Sequence, residues 1–215
     1  MRTRSKLLLT ALTAAFVMAA AVGTASAGRF SSSEQRFKVT WSSLELSGFA
    51  TNVRCAVTLE GSYHYRTFAK TPEALVGYVT GVTVRHPCTG GEAWAFNGTE
   101  NLEGTTLSNS LPWHIRYESF GGTLPNITEI NQRLIGSRFL VKATFLGVTV
   151  RCTYTTTSAQ PATGPARREV GTRTLTELEA GGEISSETGG CPRGRFLGAG
   201  PITTPTGARI TVTLI

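Results

Sequence analysis

A chain of 215 residues with 21 Lys and Arg, 14 acidic residues and a formal net charge of +7 is mildly basic. That is weak support for a nucleic-acid partner, which calls for a concentrated basic stripe. All 14 acidic residues are glutamate, which excludes a Ser-His-Asp triad and an aspartyl nucleophile and leaves two glutamates as the only carboxylate pair.

The first segment, Met1-Arg2-Thr3-Arg4-Ser5-Lys6, is positively charged, and an apolar run from Leu7 to Val22 follows. Thr24-Ala25-Ser26-Ala27 then offers the small residues of a cleavage site. This order is that of a secretory signal peptide over residues 1–27. The apolar run is short of the roughly 20 residues a membrane span needs. Arg2 and Arg4 are not adjacent, and the first cysteine is Cys55, so twin-arginine export and lipidation after the apolar run are excluded. Losing Arg2, Arg4 and Lys6 from the 21 cations leaves 18 against 14 glutamates, a net of +4. The expected product is secreted and extracellular, with no membrane span after cleavage.

Beyond residue 27, short β-branched and aromatic runs alternate with Gly, Pro, Asn and Ser breaks, the pattern of an all-β chain. In chain order the expected strands are Phe37–Trp41, Asn52–Leu59, Tyr63–Phe68, Tyr78–Val84, Leu111–Glu118, Phe139–Phe145, Thr149–Thr155, Arg173–Leu178 and Ala208–Ile215. Pro72-Glu73-Ala74-Leu75 suits one helical turn with Pro at its first position. Asn97-Gly98, Gly121-Gly122 and Gly181-Gly182 mark turns. Residues 158–168, with two prolines and the pair Arg167-Arg168, read as a solvated loop. In Phe139–Phe145, residues Phe139, Val141, Ala143 and Phe145 share one face.

Four cysteines, Cys55, Cys88, Cys152 and Cys191, all follow the cleavage site. An even number in an exported chain indicates two disulfides, and no pair is close enough for a zinc knuckle. Three pairings can be drawn; Cys55–Cys88 with Cys152–Cys191 is favoured because each closes a loop within one half. Val53-Arg54-Cys55-Ala56-Val57-Thr58 also matches Val150-Arg151-Cys152-Thr153-Tyr154-Thr155 at an offset of 97. That match reads equally as duplication or as chance identity between strands. The expected architecture is an antiparallel sandwich or barrel. It has a first β unit over 28–108 and a second over 109–215, two similar lobes with one disulfide each, or one continuous β domain.

Catalytic signatures are sparse. There is no G-x-S-x-G, no H-E-x-x-H and no Walker loop, and His64, His86 and His114 show no ligand spacing, so no metal or other cofactor is expected. Ser186-Glu187-Thr188-Gly189-Gly190-Cys191-Pro192, with His86-Pro87-Cys88, resembles the nucleophile and histidine motifs of trypsin-like proteases. Thr188 replaces the serine and Glu187 the aspartate, so the resemblance implies at most a degenerate relative. Glu118 with His114 is the one nearby acid–base pair for a secreted hydrolase, but an extended strand sets them about 13 Å apart.

On Leu111–Glu118, residues Leu111, Trp113, Ile115 and Tyr117 point one way and His114, Arg116 and Glu118 the other. Trp113, His114, Arg116 and Glu118 are the candidate binding residues. They read either as a ligand platform or as a half-buried strand with Trp113 and Tyr117 in the core. Cys55–His64, Leu111–Tyr117 and Phe120–Ile127 together resemble a family of uncharacterised secreted proteins of high-GC Gram-positive (actinobacterial) bacteria. The resemblance implies a source and a compartment but no activity. A non-catalytic module binding an extracellular ligand or envelope component is the favoured reading. A hydrolase and a carrier with an apolar pocket between β layers are the alternatives.

Overall fold

Alternation of buried and exposed side chains runs through most of the computed structural model, which describes residues 28–48 and 52–215. The signal peptide expected over 1–27 lies outside the described residues. The strands are β1 (Arg29–Ser32), β2 (Arg36–Ser47), β3 (Asn52–Tyr63), β4 (Thr67–Ala69), β5 (Leu75–Thr89), β6 (Glu92–Ala95), β7 (Asn101–Leu102), β8 (Thr105–Thr106) and β9 (Trp113–Thr123). They continue with β10 (Asn126–Ile135), β11 (Arg138–Phe145), β12 (Val148–Thr155), β13 (Ala162–Arg168), β14 (Leu175–Ala180), β15 (Glu183–Ser186), β16 (Gly194–Thr203) and β17 (Val212–Leu214). No helix occurs among the described residues. The all-β expectation and the antiparallel pairing hold throughout.

Twelve strands form one sheet in the order β14-β13-β10-β9-β5-β3-β2-β16-β15-β12-β11-β6, and β14 also pairs with β16. That extra pairing closes a ring of eight strands, β2, β3, β5, β9, β10, β13, β14 and β16, which is a barrel. Closure removes the sheet edges of this ring. The small sheet β17-β1-β4 covers its far mouth. There Phe30, fully buried, packs on Phe68, Tyr117 and Phe120 at centroid distances of 5.6, 6.0 and 6.2 Å.

The other ends of β2, β3, β5 and β16 continue past the barrel and join β15, β12, β11 and β6 in a second ring. Phe139 of β11 marks the junction, 5.4 Å from both Trp113 and Phe196. One apolar core runs through both rings. No ladder is formed between β5 and β6, and side chains bridge the gap instead. Glu100 accepts the Val84 N–H at 3.0 Å through one carboxylate oxygen and the Ala95 N–H through the other. The Asn97 amide donates to the Val82 carbonyl at 2.8 Å. Asn97 Oδ1 in turn accepts the backbone N–H groups of Thr99 and Glu100, each at 2.9 Å, which fixes the clasp before it meets the strands.

The disulfides are Cys55–Cys88 and Cys152–Cys191, the favoured pairing. Both lie in the second ring: one ties β3 to β5, the other ties β12 to the segment leading into β16. The matching segments Val53–Thr58 and Val150–Thr155 fall on β3 and β12, which stand on opposite walls of that ring. Strands from either side of position 108 pair in β5–β9, β6–β11 and β2–β16. The segments 28–108 and 109–215 therefore build both rings jointly.

Three local expectations are corrected. The solvated loop at 158–168 contains β13, whose Ala162 and Ala166 are buried. Its core contacts are made by small residues, so no β-branched run announces it. Tyr63–Phe68 is broken by bends at 64–66, which free β4 to join the capping sheet. Pro72–Leu75 makes no helical turn, because the backbone is drawn into pairing with β9. The Glu73 N–H donates to the Tyr117 carbonyl at 2.8 Å, and the Tyr117 N–H donates to that of Ala74 at 2.9 Å.

Burial raises the carboxyl pKa of Glu100 above the ordinary 4.5, opposed by the two backbone donors and by His86. A raised folded-state pKa contributes stability below the unfolded value that is lost as pH rises through the folded one. Glu100→Gln keeps one acceptor and turns an amide toward the second N–H. It is expected to destabilise by about 1–3 kcal/mol, with the gap to wild type narrowing from below pH 4.5 toward neutrality. Denaturant midpoints across pH measure both effects.

Candidate functional site

The alternation on β9 separates the predicted binding residues. Trp113 is fully buried inside the barrel, and its indole N–H donates to Ser110 Oγ at 2.9 Å. His114 is exposed and sits edge-on to Tyr78 at 5.2 Å, and Tyr78 meets His64 in the same way at 4.5 Å. Arg116 lies opposite Arg133 in the β9–β10 ladder. Two adjacent cations repel, and carboxylates hold them together: Glu118 accepts from Arg133 at 2.8 Å, Arg133 also pairs with Glu73, and Glu73 faces Arg116 at 3.8 Å. Hydrogen bonding to Glu118 outweighs burial and holds the Arg133 guanidinium more firmly charged. Glu73 reaches both arginines from a turn at φ 65°. The outer face of β9 thus carries an ion-pair chain, Glu118–Arg133–Glu73–Arg116, in which the Nε of both arginines is buried without a partner, and Trp113 lies on the opposite side of the wall.

The protease-like segment is also committed elsewhere. Thr188 Oγ1 accepts the Thr153 backbone N–H at 3.0 Å, and Glu187 accepts from Arg138 at 2.8 Å. His86 leans on Trp94 at 5.5 Å. The described residues contain no group of three or more His, Cys or Glu side chains able to hold a metal ion.

Two spaces remain. The first is a chamber of about 70 Å³ inside the barrel, lined by residues such as Trp41, Leu59, Val79, Ile115 and Phe196. A pocket for an organic ligand of ordinary size occupies roughly 300–1,000 Å³, so a carrier for such a guest does not fit this barrel. Buried Gln132 lines the chamber and donates its amide to Tyr63 Oη at 3.0 Å. Burial raises the Tyr63 hydroxyl above 10.0, with Gln132 opposing.

The second space is an open groove of about 900 Å³ on the second ring, walled by His86 and Pro87 on β5, Trp94 on β6, and Lys142 and Thr144 on β11. Cys88 and the pair Gly90-Gly91 line it, so the Cys55–Cys88 bridge braces one wall. A Cβ on Gly90 would collide with the Asn52 carbonyl oxygen and one on Gly91 with that of Lys142. Only glycine lets this link pass between β3 and β11. Glu92 pairs with Lys142, its cross-strand neighbour in the β6–β11 ladder, at 3.4 Å. Lys142 and Arg151 both bond Glu103, the Arg151 hydrogen bond contributing most to holding that carboxyl below the usual range. Trp94 is buried beneath His86, so the groove presents the His86 ring beside fixed charges on a braced frame, which suits a polar ligand.

Sequence reasoning passed over this groove. The signal present was the stretch from His86 to Trp94, in which a cysteine, two glycines and an aromatic strand follow one another. Lys142 and Thr144 come from a distant hairpin and are joined to it only by the β6–β11 register.

No family model, curated protein or solved structure matches the chain.

Gln132→Leu leaves the buried Tyr63 hydroxyl without its partner and is expected to cost about 1–3 kcal/mol. Adding Tyr63→Phe removes both polar groups, and thermal unfolding is expected to recover most of that loss.

Proposed function

We propose that this protein is an exported, non-catalytic binding module of the envelope of a high-GC Gram-positive bacterium, and that the groove over Cys55–Cys88 is its ligand surface. The two disulfides are consistent with an oxidising compartment outside the cell. The non-catalytic reading is supported by the engagement of each side chain that sequence offered for chemistry. Thr188 holds a backbone amide, Glu187 and Glu118 hold arginines, and His114 packs on Tyr78.

The observation that carries the choice of site is the contrast between a nearly filled barrel and a large braced groove, about 70 against 900 Å³. The groove sets the His86 ring, backed by buried Trp94, beside Glu92 and Lys142, a surface for the ring and charge-assisted hydrogen bonds of a saccharide unit of an envelope polymer.

Cosedimentation with purified peptidoglycan, and Trp fluorescence titration with soluble glycan fragments of it, test this reading. Wild type is expected to bind, and His86→Ala with Lys142→Ala to weaken binding at least tenfold at unchanged thermal midpoint. Equal binding by wild type and the double variant would remove the groove as the site.

A further inference from the structure

The β11–β12 hairpin ends in an apolar tip that the groove does not use. The ladder runs in register to Phe145↔Val148, leaving Leu146-Gly147 as a two-residue turn. Both turn residues have positive φ, 48° and 79°, the geometry for which Asn-Gly is the ordinary choice. A branched apolar side chain in the left-handed region is strained. Yet Leu146 is 87% exposed, with Phe145 at 41% and Val148 at 63% beside it. Here the chain keeps a large apolar group in an exposed turn, in a conformation that asparagine would hold more easily.

We infer that this tip is a lipid-surface anchor, dipping Phe145, Leu146 and Val148 into the boundary between headgroups and acyl chains. Three features favour a membrane over a protein partner. Polar groups near the tip are already satisfied: Thr144 and Thr149 hydroxyls bond each other at 3.0 Å, and the ladder continues to Phe145↔Val148. Only the turn's own peptide groups need contact water, so dehydrating the tip leaves few orphans. Secondly, the cross-strand cations Lys142↔Arg151 lie three positions behind Phe145↔Val148, about 10 Å at the strand rise. An interfacial apolar group buries by about 5–10 Å, which sets these cations at headgroup depth. Thirdly, three apolar side chains are far short of the roughly 20–30 residues a side of a stable protein interface. Glu92 and Glu103 stand beside the two cations, so the apolar tip supplies most of the attraction and salt has little effect. This inference is independent of what the groove holds.

The test is cosedimentation of the disulfide-bonded protein with phosphatidylcholine vesicles and with equal mixtures of phosphatidylcholine and phosphatidylglycerol. Wild type is expected to pellet with both, with less than a threefold loss on raising salt. Leu146→Asn is expected to lose vesicle binding at least tenfold while its thermal midpoint stays level or rises, because the turn strain is relieved. That opposite movement of binding and stability separates an anchor from a misfolded variant. Phe145→Ser with Val148→Thr should repeat the loss. Wild type that stays in solution with both vesicle types overturns the inference. So does Leu146→Asn that pellets like wild type, or a Leu146-dependent dimer without lipid by analytical ultracentrifugation.

Discussion

The whole architecture turns on the hydrogen-bonding of Gly194–Thr203. Along one edge β16 pairs with β2, from Ser47↔Arg195 to Lys38↔Thr203. Along the other it pairs first with β15 through Gly194 and Arg195, then with β14 from Gly198 to Pro201. This change of partner within ten residues is what splits one sheet into two rings. It requires the strand to come very close to β2. A Cβ on Gly198 would sit 3.1 Å from a Leu44 methyl, and one on Gly200 would collide with the Thr40 carbonyl oxygen. The register shift between Leu197 and Ile202 falls in the same stretch. Glycine here is what allows the strand to bend between partners, as at barrel corners.

With β16 shared, β2, β3 and β5 are long enough to serve both rings, and the junction is filled by Trp113, Phe139 and Phe196. The barrel then closes on backbone ladders, whereas the second ring closes on Glu100 and Asn97. Both disulfides lie in the ring with the weaker closure. By the loop-entropy estimate each contributes about 4 kcal/mol, support placed where the backbone supplies least.

What could be read from sequence follows from how much signal each strand carries in its own residues. Phe139–Phe145 and Leu111–Glu118 alternate in full view, and their inward and outward faces are as the period of two requires. Cysteine spacing also sufficed for the pairing. The two rings were hidden because β13 and β16 make their close contacts with Ala, Gly and Pro, which read as loop. β10 carries Asn131, Gln132 and Arg133, whose roles depend on Ser119, Tyr63 and Glu73. On the site, alternation told that Trp113 and His114 part company, but the ion partners of Arg116 and Glu118 come from other elements. The groove depends on β6, four residues long, meeting a hairpin more than forty positions away in the chain.

The side-chain closure gives the molecule an order of failure. Between β5 and β6 there is a seam held by one carboxylate, one amide and the packing of His86 on Trp94, while β3 and β5 are joined covalently through Cys55–Cys88. Under load that seam is the first place to yield, parting β6 and β11 from β5, while Cys152–Cys191 keeps β12 tied to the segment leading into β16. The groove straddles that seam, with His86 on the fixed side and Trp94, Lys142 and Thr144 on the moving one. A molecule seated across both sides would act as a staple over that seam.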